Sequence, residues 1–242
     1  MQPSASSANL VAPASILSLF SMVCDKVRIR FRKGGDLRLV SHHDLMRCFE
    51  RMLRRAALPY HTTQGFHPKP RLVFALALPL GVIGCEEVLE LELDEQLPLD
   101  DIYSRLTQHT PPGVEILSIV RIGVKTTAQV DSMCYRIALS PGIVSTAESA
   151  IASVLSQTEC LVKRIKPAGR TVDIRPYIRS LRVEGGYLDI KLWVTSKGTA
   201  RPEEVLGLLG LEQLTAEGAV LERTQLALHD ELDCLAEIGQ DS

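Results

Sequence analysis

The segment from residue 26 to residue 56 changes from a two-residue to a three-to-four-residue apolar period, and this change constrains the fold more than any other feature. In the stretch KVRIRFRK, Val27, Ile29 and Phe31 alternate with arginines, as in a β-strand with one buried face. From Leu45 onward the apolar residues recur at helical spacing. A strand followed by an amphipathic helix predicts a domain that mixes α and β elements.

Ser41 is the predicted N-cap of this helix. Its hydroxyl can accept a hydrogen bond from the backbone N–H of Asp44, and the Asp44 carboxylate can answer the N–H of Ser41. Another side of the helix carries arginines at the same helical spacing, namely Arg47, Arg51, Arg54 and Arg55. We therefore expect one helix face to pack in a core and another to be cationic.

The same order of strands and helices is predicted to occur in both halves of the chain. In the first half, we assign strands to residues 26–33, 71–80, 88–93 and 114–122 and helices to 41–56 and 98–109, with residues 37–40 extended. In the second half, we assign strands to 133–139, 160–165, 187–194 and 220–228 and helices to 144–156 and 201–209. The order βαββαβ in each half predicts an α+β fold of two tandem ferredoxin-like modules, residues 26–122 and 131–230.

Residues 1–25 are rich in Ser, Ala and Pro and predict a disordered or loosely packed leader, unless translation begins at Met22. The six cysteines lie far apart and form no CxxC pair, as expected for reduced thiols of a cytoplasmic protein. No apolar run approaches the roughly 20 residues that cross a bilayer. We therefore expect no membrane association.

The formal net charge of -2 conceals a separation of charge along the chain. Residues 26–71 contain twelve Lys and Arg but three Asp and Glu, whereas residues 72–118 contain one Arg and nine acidic residues. The first region predicts a positive surface that can neutralise RNA phosphates. The acidic stretch 86–101 is predicted to be a solvated face that keeps RNA away, or a docking surface for a basic partner.

The basic residues of the first strand and helix are predicted to converge into one positive groove. Arg28, Arg30 and Arg32 lie on the strand, and the loop QGFHPKP, residues 64–70, follows the helix. The alternative is a solvated helix face with Glu50 as a local partner. The candidate RNA-binding or substrate-binding residues are Arg30, Arg38, His42, Arg47, Arg51, Arg54, Arg55, Gln64, Phe66, His67, Lys69, Arg71, Arg175 and Arg201.

Four histidines, His42, His43, His61 and His67, occur in one short span. His42 and His43 point to different helix sides and no recognisable ligand set is complete, so we predict no metal site. An imidazole beside a phosphate-binding arginine can act as acid or base, which makes His42 and His67 candidate catalytic residues for RNA cleavage. Alternatively, His42 hydrogen-bonds the neighbouring loop. Without a GxxxxGK[ST] or GxGxxG motif, no nucleotide cofactor is expected.

The second half contains fewer candidate site residues. Asp173 and Arg175 are two positions apart, so on a strand they would share a face. We expect them to form a structural ion pair that supports the loop, or to contact Arg201 or a ligand. Trp193, the single tryptophan, is predicted to lie in the core.

The motifs of the chain resemble those of a known family. The succession GDLR-x-x-SH-x-D-x-x-R-x-x-x-R-x-x-RR, residues 35–55, is followed by QGFHPKP and FALALPLG, and the second half contains VDIRPYI and the pair Arg201-Pro202. These motifs are similar to the radical-SAM-linked protein family, domain of unknown function 2344. The resemblance covers residues 26–228.

The resemblance implies association with a radical-SAM protein, in an accessory role that serves tRNA or ribosomal components. The chain lacks the CxxxCxxC cysteines that hold an iron–sulfur cluster in radical-SAM enzymes, so we expect it to have no cofactor of its own. Two alternatives stay open. One is a metal-independent RNA endonuclease with a tandem ferredoxin-like fold, and the other is a protein-binding adaptor.

Overall fold

A computed structural model describes residues 23, 25–164 and 169–231 of the 242-residue chain. The predicted leader, residues 1–25, lies outside the described residues except for Val23 and Asp25, and so does Met22. Within the described ranges, no helix combines the length and the apolar composition that a membrane span requires.

The first half of the chain forms three long strands, one short strand and two helices. The strands are antiparallel, in the order β4-β1-β3, with β2 paired to β3. The elements are β1 (Asp25–Lys33), α1 (His42–Arg55), β2 (Leu72–Phe74), β3 (Ile83–Leu93), α2 (Leu99–Thr107) and β4 (Val114–Arg121).

The second half forms four strands in the order β10-β5-β9-β8, each antiparallel to its neighbour, and a separate hairpin of β6 and β7. The elements are β5 (Val130–Ala138), α3 (Val144–Ser156), β6 (Leu161–Arg164), β7 (Arg170–Asp173), β8 (Ile178–Glu184), β9 (Tyr187–Trp193), α4 (Pro202–Leu208), α5 (Gln213–Ala216) and β10 (Glu222–Leu228).

The two halves join into one large mixed sheet at a short parallel contact. β10 pairs with β3 through Glu222 opposite Ile83 and Arg223 opposite Gly84. The predicted α+β class is therefore confirmed. The buried apolar residues form two clusters. The first is built by β1, β3, α1 and α2. The second is built by β5, β8, β9, β10, α3 and α4, together with Leu78, Val82 and Val88 of the first half.

The alternation of β1 explains the first core. Val27, Ile29 and Phe31 are buried under α1, where the ring centroids of Phe31 and Phe49 are 4.9 Å apart. Leu45 and Met52 pack in the same core. The predicted strand and helix are thus confirmed, with bounds close to those assigned from the sequence.

Two predicted segments are wrong, and a third forms the predicted strand with a different partner. Residues 37–40 do not extend a strand, because Gly35–Leu39 forms a 3-10 turn. Of the predicted strand 71–80, only Leu72–Phe74 pairs with β3, and the chain then turns through Pro79 and Gly81, where proline offers no N–H to a sheet. The strand predicted at residues 160–165 is confirmed as β6 (Leu161–Arg164), but it pairs with β7, and β8 takes the place beside β9 that the βαββαβ order predicts for it.

A buried ion pair closes the contact between the halves. The Arg223 side chain is fully buried, pairs with both oxygens of Glu87, and donates to the carbonyl oxygens of Ala77 and Leu76 at 3.2 and 3.4 Å. Lys33 is also fully buried, and its Nζ donates to the carbonyl oxygen of Val40 at 2.9 Å. Burial lowers the pKa of Lys33.

We expect Arg223→Met to lower the free energy of unfolding by about 3 to 5 kcal/mol, because it leaves the Glu87 carboxylate buried without its partner. Urea unfolding monitored by circular dichroism measures this loss. The double variant Arg223→Met, Glu87→Leu should recover most of it, since both charges are then absent. The control is Arg105→Met, which breaks the exposed Arg105–Asp101 pair and should cost at most about 1 kcal/mol. A loss for Arg223→Met as small as that of the control would contradict the prediction.

Candidate functional site

The start of α1 has the predicted N-cap. The Ser41 hydroxyl accepts from the Asp44 backbone N–H at 3.2 Å and donates to Asp44 Oδ2 at 2.7 Å. The sequence predicts that the Asp44 carboxylate accepts from the backbone N–H of Ser41. In the structure this carboxylate accepts from the Ser41 hydroxyl instead. Arg47 extends the cluster, with its guanidinium 3.3 Å from Asp44 Oδ1.

The predicted cationic face of α1 is exposed. Arg47, Arg51, Arg54 and Arg55 all present exposed side chains, as the helical spacing requires once the apolar side is buried. Glu50 is their local partner, 3.7 Å from Arg54, and Arg55 donates to the carbonyl oxygen of His109 at 3.0 Å.

The loop after α1 forms a closed hairpin beside this face. The backbone N–H of Thr63 donates to the Lys69 carbonyl oxygen at 2.8 Å, and the Lys69 N–H donates to Thr63 Oγ1 at 3.1 Å. Phe66 lies at the tip with a relative exposure of 103%, and Gln64 and His67 beside it are also exposed.

Lys69 and Arg71 bring the loop and the helix together. Lys69 Nζ is 4.0 Å from Glu50 of α1, and Arg71 is 3.1 Å from Glu92 of β3. We name the exposed face of α1, with Arg47, Arg51, Arg54 and Arg55, together with residues 63–71, the α1–loop surface. It contains six Lys and Arg side chains, and four of them pair with the three carboxylates of Asp44, Glu50 and Glu92.

The predicted groove between the β1 arginines and the α1 arginines is not formed. Because Val27, Ile29 and Phe31 face α1, strand alternation places Arg28 and Arg30 on the opposite face of the sheet. There Arg28 is buried and pairs with Glu90 at 2.9 Å and with Asp230 at 2.7 Å. Arg30 pairs with Glu231.

The acidic face of β3 is not the solvated face that its composition predicts. Glu90 is buried, lies within ion-pair distance of Lys26 at 2.8 Å, and accepts hydrogen bonds from Arg28. Glu87 is buried against Arg223. The basic strand and the acidic strand therefore neutralise each other within the sheet, which removes these carboxylates from any docking surface.

The two candidate catalytic histidines occupy different environments. The His42 ring packs against Phe74, with centroids 5.1 Å apart, and its Nδ1 is buried without a hydrogen-bond partner, so the predicted bond from His42 to the loop is not made at this atom. Burial, followed by the charges of His43, Lys33 and Arg223, lowers the pKa of His42. His67 lies exposed in the loop. In the described part of the chain, no group of three or more His, Cys, Asp or Glu is placed to hold a metal ion.

The remaining candidates have separate roles. Arg38 donates to the Gly35 carbonyl oxygen at 3.2 Å and lines a cavity of about 350 Å³. Arg175 donates to the carbonyl oxygens of Leu155, Gln157 and Ile178 and so binds the end of α3. Arg201 is the N-cap residue of α4 and lines a cavity of about 430 Å³.

Asp173 does not form the predicted ion pair with Arg175. Its carboxylate accepts from the backbone N–H groups of Cys160, at 2.8 Å, and Arg175, at 3.0 Å. The two residues support the same turn, as expected from their spacing, but through backbone groups.

The sequence predicts Trp193 in the core, but the structure places its side chain on the opposite face of the sheet, partly exposed. The Arg179 guanidinium lies 4.0 Å from the centroid of its half-buried ring. Leu188, Ile190 and Leu192 are the β9 residues in the core, so Trp193 lies on the other face. The sequence contains a signal for this placement. In YLDIKLW the residues alternate between the two faces of a strand, so Trp193 lies on the face opposite Leu188 and Leu192.

Comparison with known proteins identifies the family. A family model described as an uncharacterized protein conserved in bacteria (DUF2344) matches residues 26–202. The chain belongs to this family. The membership suggested by the sequence motifs is confirmed over these residues. No curated protein matches the chain.

One similar solved structure is a crystal structure of an unknown protein from Galdieria sulphuraria. It is 14% identical, covers 84% of this chain and 98% of its own, and superposes with a TM-score of 0.26.

The lowered pKa of His42 gives a pH dependence of known sign. As the pH falls below about 6.5, the unfolded chain takes up a proton on this imidazole before the folded protein does, so the free energy of unfolding falls. We expect NMR titration to give a pKa below 6.5 for His42. When the pH is lowered from about 7 to about 5, the free energy of unfolding should fall less for the His42→Phe variant than for the unsubstituted chain. A measured pKa at or above 6.5 would contradict this prediction.

Proposed function

We propose that this chain is a cytoplasmic, non-catalytic accessory protein of a radical-SAM enzyme, and that it binds structured RNA, such as tRNA or an rRNA-like element, or another anionic substrate. The single observation that carries the proposal is the excess of exposed cations on the α1–loop surface. Six Lys and Arg side chains face solvent there beside three carboxylates. Folding and solubility do not require such a local excess.

The geometry of α1 suits a phosphate backbone. Residues three and four positions apart on a helix lie about 5 to 6 Å apart at their Cβ atoms, so Arg47, Arg51, Arg54 and Arg55 form a continuous row. Guanidinium groups bind phosphate oxygens in pairs of parallel hydrogen bonds. A row of this kind recognises the shape and backbone of RNA and not a particular sequence.

The exposed ring of Phe66 adds a second kind of contact. Burying this ring against an unpaired base would remove its apolar surface from water and add stacking energy. His67, Lys69 and Arg71 follow it in the same loop, so a base on Phe66 would bring its phosphate near cationic groups.

The finer fold assignment also belongs to the proposal. We propose two tandem ferredoxin-like modules, supported by the strand orders β4-β1-β3-β2 and β10-β5-β9-β8. In each half the first strand lies between the third and fourth strands of a βαββαβ order, once the β6–β7 hairpin is treated as an insertion.

The association with a radical-SAM enzyme is supported by the resemblance of the sequence motifs. The six cysteines of the chain do not form the CxxxCxxC pattern of a cluster-binding enzyme. The partner would therefore supply the chemistry, and this chain would supply the surface that holds the substrate.

We expect the double variant Arg51→Ala, Arg55→Ala to weaken binding of bulk tRNA, because two phosphate contacts are removed. Fluorescence anisotropy at several salt concentrations measures the effect. The slope of log affinity against log salt should become less steep by roughly 1 to 2, and the affinity at low salt should fall by about tenfold or more.

The control variant Lys163→Ala, Arg170→Ala removes two exposed positive charges from the β6–β7 hairpin and should bind tRNA as the unsubstituted chain does. An equal loss of affinity in both variants would contradict the assignment of RNA to the α1–loop surface. If the chain cleaves the RNA without metal and His42→Ala or His67→Ala abolishes cleavage, the endonuclease alternative replaces the accessory role.

The accessory role predicts a specific partner. Affinity capture from the native cytoplasm should recover a protein whose own sequence contains CxxxCxxC, identified by mass spectrometry. Recovery that persists after nuclease treatment shows direct contact between the two proteins. Recovery of RNA alone, with no protein of this class, would contradict the accessory role and leave RNA binding in place.

A further inference from the structure

The second half of the sheet has a polar face that none of the preceding functions uses. Met133, Tyr135 and Ile137 of β5 pack in the core with α3 and α4, so alternate residues project to the other side. A groove of about 590 Å³ lies there, across β10, β5, β9 and β8. We name this groove the open sheet face. Its charged lining residues are Arg136, Arg179, Arg182, Glu184, Asp189 and Lys191.

The open sheet face has an excess of positive charge. Arg136 is matched by Asp189, with two hydrogen bonds of 2.7 and 3.1 Å. Among the described residues, no carboxylate lies within ion-pair distance of Arg179, Arg182 or Lys191. The lining therefore contains four cations and two carboxylates, Asp189 and Glu184, and three of the cations form no ion pair in the described chain.

Aromatic rings lie at the edges of this face. Tyr187 and Trp193 are the first and last residues of β9 and project to the same side as Asp189 and Lys191. The Arg179 guanidinium stacks on Trp193 at 4.0 Å, and Arg136 lies 5.2 Å from the Tyr187 centroid. Tyr187 is 41% exposed. Each ring thus adjoins a guanidinium that can contact both a base and a phosphate.

We infer that the open sheet face binds single-stranded RNA, with its phosphates on Arg179, Arg182 and Lys191 and its bases against Trp193 and Tyr187. This inference rests on the proposed RNA binding and adds a second surface with a different ligand form. Unpaired bases stack on aromatic rings and guanidinium planes at the surface of a sheet, whereas a paired helix offers no free base face.

An acidic peptide could form ion pairs with the same cations but has no bases to stack on the rings of Tyr187 and Trp193. Planar rings beside guanidinium groups match alternating bases and phosphates along a strand of RNA. The groove also crosses four strands, a distance of about 14 Å at the usual strand spacing, which accommodates several nucleotides.

The single tryptophan makes the inference directly testable, since Trp193 is the only source of indole emission in the chain. The test is a titration of the full chain with an oligouridine RNA of about ten nucleotides, a length within the range that sheet platforms bind. Emission of Trp193 should be quenched with the same midpoint as the anisotropy of the labelled RNA. Arg182→Ala, Lys191→Ala should weaken this binding by about tenfold, as expected for two lost phosphate contacts.

The matched control is Lys163→Ala, Arg170→Ala, which removes the same two residue types from the β6–β7 hairpin and should leave oligouridine binding unchanged. Arg182 and Lys191 point away from the core, and Asp189 retains Arg136 as its partner in the groove variant, so the variant should fold. Circular dichroism checks this.

The outcomes separate this inference from the proposed function. If tRNA binds and Arg51→Ala, Arg55→Ala weakens that binding, but oligouridine neither binds nor changes Trp193 emission, the open sheet face is not an RNA site and the proposed function stands. If neither RNA binds, both fail. If polyglutamate quenches Trp193 and displaces oligouridine at equal charge concentration, the face binds acidic polymers in general and the inference is overturned.

Discussion

The fold depends on the buried pair of Arg223 and Glu87. β3 and β10 share only a short parallel contact, so few backbone hydrogen bonds hold the two halves in one sheet. The Arg223 guanidinium compensates by joining Glu87 of β3 to the carbonyl oxygens of residues 76 and 77. Gly84 is required at this point, because a Cβ there would lie 2.4 Å from Glu87 Cγ. This buried side chain of β10 thereby ties the first half to the second, beside the apolar packing of Leu78, Val82 and Val88 against the second half.

A second ionic layer decides which charges face solvent. Lys26 and Arg28 of β1 meet Glu90 of β3, and Asp230 and Glu231 add further carboxylates from the end of the described chain. Charges buried in such a network contribute little to the external field. Most of the exposed positive charge of the first half therefore lies on α1 and the 63–71 loop, although the most strongly alternating basic segment of the sequence is β1, of which only Arg32 is exposed.

Local patterns predicted local structure well and long-range pairing poorly. α3 matches its assigned range of 144–156, and Ser41 caps α1 as expected, because spacing and capping act within a few residues. β8 was missed, since its bulge between Ile178 and Ser180 breaks the two-residue period. The burial of Arg28 was missed for another reason: its partners Glu90 and Asp230 are 62 and 202 residues away in sequence.

The two cationic surfaces differ in shape, and this difference decides what each can bind. The arginines of α1 stand on a convex helix, so they can follow a backbone from outside but cannot enclose a base. The cations of the open sheet face line a groove with Tyr187 and Trp193 at its edges, so an unstacked base can stack there on a ring or on the guanidinium beside it. An RNA with a paired stem and a single-stranded end would satisfy both surfaces. A fully paired RNA has no unstacked base, so it would make no stacking contact with Tyr187 or Trp193.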